Sequence, residues 1–196
     1  MGCRLRMTSA VIERIVSGGQ TGVDRAALDV ALLLDIPCGG WCPRGRKAED
    51  GPIGERYPLQ ETQSSDYRQR TAANVLASDG TLILHTGRVI GGTAFTVRTA
   101  KRAPRPCFIV DLETSPPYST VLTWIRNHRI RVLNVAGPRE SQARGIYRQA
   151  RRWLYGLIVQ GSELQLCVIL AFCSAAPVEP PSADGRPPCS PPLPGR

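Results

Sequence analysis

The sequence predicts a Rossmann-like α/β fold, an open parallel sheet with helices on both faces in a single domain. Short apolar runs alternate with helical patterns, which is how parallel sheets with crossover helices read. Glycine-bearing loops follow three of those runs, and two of the loops open directly into helices. The chain's 196 residues suit one domain of roughly 150 with additions. We read 10–160 as the domain, 161–176 as an apolar extension, and 177–196 as a proline-rich tail that cannot pack a core.

Ile12 to Val16 reads as the first strand, followed by Ser17-Gly18-Gly19-Gln20-Thr21-Gly22. The next helix carries Val23, Ala27, Val30, Ala31 and Leu34 at spacings of three and four. Thr21 is the expected N-cap, with Asp24 three residues on as in a capping box. A short strand near Ile36 leads into a long loop, Gly40 to Ser65, rich in Gly, Pro and charge. Tyr67 to Ala77 reads as helix, Thr81 to His85 as buried strand, and Gly91-Gly92-Thr93 opens a helix to about Arg102. Cys107 to Val110 is strand, Val121 to His128 helix, and Arg131 to Ala136 strand, closed by Gly137-Pro138. Ile146, Ala150, Trp153 and Leu157 mark the buried face of a last helix. Leu164 to Phe172 reads either as an edge strand or as an apolar tail.

The seven cysteines form no CxxC pair and no pattern with histidine, so reduced thiols in a cytoplasmic protein are expected. Cys38 and Cys42 suit core packing better than a metal. The longest apolar run, Leu164 to Ala176, falls short of the ~20 residues a membrane span needs. No secretory leader is expected, and Met7 could serve as the start as well as Met1. The net charge of +9 lies between Arg98 and Arg152, where twelve bases meet three acids. That excess fits an anionic partner or a solvated arginine-rich surface.

In a parallel sheet the loops Gly18 to Gly22, Thr86 to Thr93 and Gly137 to Ser141 converge on the carboxyl edge of the strands. Glycine lets backbone N–H groups approach closely, and a helix start adds partial positive charge, so an anion is favoured there. Arg139, together with Arg44, Arg46 and Lys47 of the long loop, offers full charges for phosphate. Asp24 serves either the helix start or a ligand. His85 and His128 read as structural, and no hydroxyl has a His-Asp partner set for a hydrolytic triad.

Gly18 to Asp29 (GGQTGVDRAALD) resembles the opening motif of the molybdenum-cofactor carrier family. Gly40 to Ile53, Asn74 with Ser78 to Ile83, Gly91 to Thr93, and Leu133 to Ser141 resemble its later blocks, in order, over about Ile15 to Leu154. The resemblance implies a Rossmann-like fold related to the lysine-decarboxylase-like superfamily, generally a homo-oligomer. It also implies binding of molybdenum cofactor (molybdopterin) or a nucleotide-like ligand. The related phosphoribohydrolases carry a catalytic glutamate in a PGGxGTxxE loop, where this chain has Thr96. Arg144 stands where the family has proline before Gly145.

The leading expectation is therefore a carrier, with no catalytic residue of its own, for molybdenum cofactor or a similar pterin or nucleotide phosphate. Gly18, Gly19, Gln20, Thr21, Gly22, Gly91, Gly92 and Thr93 would cradle the phosphate. Arg44 and Lys47 would close over it, with Asn134, Gly137, Arg139, Glu140 and Ser141 along the far wall. Asp24 and Asp79 complete the candidate set, and no protein ligand to a metal is expected. The alternative is a nucleotide-processing enzyme, such as a nucleoside-monophosphate N-glycoside hydrolase, using Asp24, Asp79 or Glu140. A nucleic-acid binder ranks last, since no base-reading motif or stacking platform is visible.

Overall fold

β-Branched and leucine-rich runs too short for helices line up as strands because the helices between them return the chain in one direction. In a computed structural model, which describes residues 12–174 and side chains through residue 162, the result is a six-stranded, wholly parallel sheet. In chain order the elements are β1 (Arg14–Val16), α1 (Val23–Leu33), β2 (Cys38–Cys42), β3 (Lys47–Ala48), β4 (Gly51–Pro52) and β5 (Leu59–Glu61). They continue with α2 (Tyr67–Leu76), β6 (Gly80–His85), α3 (Gly91–Arg102), β7 (Cys107–Asp111), α4 (Tyr118–Asn127), β8 (Val132–Ala136) and α5 (Ile146–Ser174). The sheet order is β5-β2-β1-β8-β6-β7. The chain thus moves outward from β1 to β5, crosses to β6 and β7, and inserts β8 last beside β1. The Rossmann-like expectation holds.

Side chains alternate across the strands. Ile15, Leu82, Leu84, Leu133 and Val135 face the layer of α1, α4 and α5 and form one continuous core with Val30, Ile125, Ile146, Leu154 and Leu157. The opposite face, under α2 and α3, carries Thr81 and Asn134, whose side chains bond each other at 3.2 Å. The buried polar groups thus satisfy each other. Among the described residues, no helix is long and apolar enough to cross a membrane.

Four local expectations need correction. The residue at the α1 N-cap is Gly22, not Thr21, because the chain turns there at φ 73° and a Cβ would lie 2.4 Å from the Pro138 carbonyl. The strand expected near Ile36 is Cys38–Cys42, so the long loop begins later. That loop is also structured: β3 and β4 pair as a small antiparallel ribbon, and β5 adds to the edge of the main sheet beside β2. Arg46 ties it together by donating to the carbonyls of Ile53, Gly54, Tyr57 and Leu59, over a small cluster of Leu28, Cys42, Ile53, Tyr57 and Leu59. Finally, α5 continues as helix through Ser174, which excludes an edge strand over Leu164 to Phe172. The proline-rich tail lies outside the described residues.

Candidate functional site

The loops after β1, β6 and β8 do meet at the carboxyl edge, but they divide that edge into two clefts of opposite character. The first, about 580 Å³, runs between the starts of α2 and α3 and the β8 loop. Its floor and walls include Gln20, Asp24, Gly91, Gly92, Thr93, Gly137 and Arg139 from the expected set. Tyr67, Arg68, Arg70, Phe95, Arg98 and Gln142 join them. The second cleft, about 830 Å³, lies on the α1–α5 side and takes Thr21, Gly22, Glu140 and Ser141.

In the first cleft an internal ion pair already occupies the place where the β1 loop would cradle an anion. Asp24 is almost wholly buried and accepts from Arg70 Nη1 at 2.9 Å and from the amides of Gln20 and Gly137. Burial pushes the Asp24 carboxyl up from its ordinary value, against the pull of Arg70 and the two amides. Gly18 makes this pair possible, since a Cβ there would meet Arg70 Nη1 at 1.7 Å. The amides of Thr21 and Val23 also have acceptors, Gln20 Oε1 and the Pro138 carbonyl. The β1 loop thus spends several of its own donors on internal acceptors.

The free donors lie across the cleft. α3 begins after Ile90 with no side-chain cap, so the first-turn amides of Gly91, Gly92 and Thr93 face the cleft without partners in their own helix. A Cβ at Gly92 would meet nothing within 4 Å, which leaves room for a group to approach the backbone. Arg68, near the start of α2, and Arg98, further along α3, line the same cleft, and among the described residues Arg139 is held by a 3.7 Å ion pair with Glu49. Arg70 keeps one buried, unbonded donor, Nε. Aromatic faces come from Tyr67 and Phe95, each with an arginine near its ring.

In the second cleft the carboxylates are already paired, while Arg144 and Arg148 on its wall have no partner among the described residues. Glu49 takes hydrogen bonds from Thr21 and from both the amide and hydroxyl of Ser141. Burial alone would raise the Glu49 carboxyl, but these bonds and Arg139 together hold it below its ordinary value. Arg25 pairs with Asp50, and Arg56 with Asp29. Tyr147 donates to Asp29 at 2.8 Å, and burial followed by that bond pushes its hydroxyl pKa up to about 12. Glu140 accepts from the amides of Gly145 and Tyr147 and so caps the start of α5, which forms despite Arg144 in place of proline.

The remaining expected residues are elsewhere. Arg44 and Lys47 are exposed around the β3–β4 ribbon and line neither cleft, because Arg46 and the β5 pairing hold that ribbon back. Asp79 lies at the amino end of β6, the far edge of the sheet, and accepts the amides of Arg131 and Val132. Asn134 is buried in the sheet face, and Gly19, at φ 72°, packs against Leu59. His85 Nδ1 lies 3.0 Å from the Gly87 carbonyl, and His128 is the C-cap residue of α4. Thr96, at the position of the hydrolases' glutamate, donates to the Gly92 carbonyl. None of Asp24, Asp79 or Glu140 is left as an unbonded carboxylate. Among the described residues, no three His, Cys, Asp or Glu side chains gather as a metal site.

The contributions of α2, and of α3 beyond Thr93, went unread in the sequence. Phe95 and Arg98 are three apart on the helix that Gly91-Gly92-Thr93 opens, a spacing that puts both on one face and could have flagged them. Arg70 had no such signal, because only the tertiary fold lays α2 over Gly18.

A parallel sheet between helix layers, with a cationic, aromatic-lined cleft at the carboxyl ends of its strands, defines a Rossmann-like α/β domain. The chain belongs to the circularly permutated YpsA SLOG family, whose pattern it matches over residues 15–158. It is also similar to the crystal structure of a proposed molybdenum carrier protein from Syntrophus aciditrophicus SB. The two are 46% identical with a TM-score of 0.70, and the match covers 74% of this chain and 94% of that one. The resemblance read from the five sequence blocks is thereby borne out. No curated protein matches the chain.

Proposed function

We propose that the first cleft binds molybdenum cofactor, or a pterin or nucleotide phosphate of similar size, and that the chain is a cytoplasmic, homo-oligomeric carrier of it. The observation that carries this reading is the uncapped start of α3, in a cleft of about 580 Å³ lined also by Arg68, Arg139 and, further along the same helix, Arg98. A phosphate suits amides that lack acceptors and guanidinium groups that can fork to two oxygens. The rings of Tyr67 and Phe95 suit a planar heterocycle beside it. The designation of the Syntrophus protein points the same way. With no cluster of metal-ligating side chains among the described residues, molybdenum would travel on the cofactor's own sulfur atoms.

Native mass spectrometry of protein purified gently from its own host, with elemental analysis for molybdenum, tests the reading. A pterin-sized adduct with near-stoichiometric molybdenum is expected. A nucleotide adduct without metal, or none, would overturn the cofactor assignment and turn attention to release of ribose 5-phosphate from nucleoside monophosphates. Arg98→Ala should weaken binding of the recovered ligand about tenfold, the effect of losing one charged hydrogen bond.

A further inference from the structure

A trough of about 460 Å³ lies between the second half of α1 and the start of α5. Val30 and Leu33 form its α1 wall, and the ring of Tyr147 joins them from α5, its hydroxyl committed to Asp29. The opposite wall is a stripe of Arg148, Arg151, Arg152 and Tyr155, spaced i, i+3, i+4 and i+7 on one face of the helix. All four are exposed, Tyr155 by 45%, and Leu33 across from them is 58% exposed. None of the three guanidinium groups has a hydrogen bond or an ion pair among the described residues. Their placement also costs the helix stability. Arg148 stands in the first turn of α5, where the helix dipole repels a cation, and Arg151 and Arg152 are its like-charged neighbours. From Ile146 to Ser162 the helix has no Asp or Glu to offset them. An anion supplied from outside relieves both repulsions.

Charge and apolar surface together select that anion. An acidic, amphipathic helix has the complementary form: carboxylates one turn apart reach successive arginines, while the apolar side chains beside them settle on Val30, Leu33 and Tyr155. The stripe from Arg148 to Tyr155 is ~10 Å long at helical rise, about two turns of such a partner. A nucleic-acid strand would use the arginines but gain nothing from Val30 and Leu33, because its affinity comes from its phosphates. Running on to Arg144, it would also enter the second cleft past the carboxylates of Asp29, Glu49, Asp50 and Glu140. A second copy meeting through the same face would set arginine against arginine.

We propose that the α1–α5 trough docks an acidic, amphipathic helical segment of a partner protein, its carboxylates on Arg148, Arg151 and Arg152 and its apolar side chains on Leu33 and Tyr155. The inference stands apart from the ligand of the first cleft. The probe is a fluorescein-labelled helical peptide with glutamates at i, i+3, i+4 and i+7 and leucines along the adjoining stripe, titrated with the full chain by fluorescence anisotropy in ~0.1 M salt. Binding is expected, and a peptide of the same composition in permuted order should bind about tenfold more weakly. Arg148→Glu and Arg151→Glu should each weaken binding about tenfold, and Leu33→Ser should weaken it as well. The Tm of Arg148→Glu should not fall, since the change favours the helix dipole, so its lost binding is not lost folding. Absence of binding, or binding indifferent to Arg148→Glu, would overturn the proposal. A permuted peptide or a single-stranded oligonucleotide of equal charge binding as tightly would show a site for any polyanion and overturn it too. A dimer in sedimentation that Arg148→Glu dissociates would put a second copy on this face in place of an acidic partner.

Discussion

The two clefts at the carboxyl edge are built from the same loops, yet in one the carboxylates are already paired and in the other a helix start is left uncapped. On the α1–α5 side every carboxylate has found donors: Glu49 holds Thr21 and Ser141, Asp29 holds Tyr147, and Glu140 holds the start of α5. On the α2–α3 side one helix start lacks any cap, and its neighbours are arginines. Glycine at a strand-to-helix turn permits an anion site, but it does not say whether the chain keeps that site for itself. In the β1 loop it does, with Asp24 as the resident anion, and at α3 it does not.

Three substitutions probe this contrast. The largest effect is expected from Arg70→Met, which leaves Asp24 buried with two amides and no cation. A loss of about 3 kcal/mol in urea unfolding at pH 7 follows from stranding a buried charge. The folded Asp24 pKa lies above its unfolded value and rises further without Arg70, so the native state takes up a proton that the unfolded state does not. The loss should therefore shrink as pH falls toward 4. A loss independent of pH would show that packing, not the buried charge, sets the cost.

Next is Gly92→Asp, whose Cβ has open space and whose carboxylate would sit on the uncapped α3 amides. Stability should rise by about 1 kcal/mol, from the helix dipole and the loss of a helical glycine, while phosphate-ligand binding disappears. Ligand binding unchanged in a stabilised variant would remove the α3 start from the site. The smallest effect is Glu49→Gln in the second cleft, under about 1 kcal/mol because the group is partly exposed. Glu49 is depressed in the folded state, so its contribution is full above its ordinary value of 4.5 and fades as pH falls through the folded value. The difference between Glu49→Gln and the parent, measured by thermal unfolding, should accordingly shrink as pH falls below 4.5.

What the sequence determined by itself is what periodicity and glycine placement can carry. The parallel sheet, the run Gly91 to Arg102 as a helix, and the meeting of three loops at one edge all follow from local pattern and from strand direction. The family was legible for the same reason, since its blocks lie in those loops. Tertiary structure alone decided how each polar group was used. Thr21 reads as an N-cap, but its hydroxyl bonds Glu49 and the Glu140 amide because the β8 loop closes over α1. Asp79 sits among loop-like residues, yet parallel pairing places the start of β6 at the far edge. Arg70 meets Asp24 across 46 residues of chain. A short-range pattern records where a turn or helix begins, whereas the partner of a buried charge is set by whichever distant side chain the packed sheet brings within 3 Å of it.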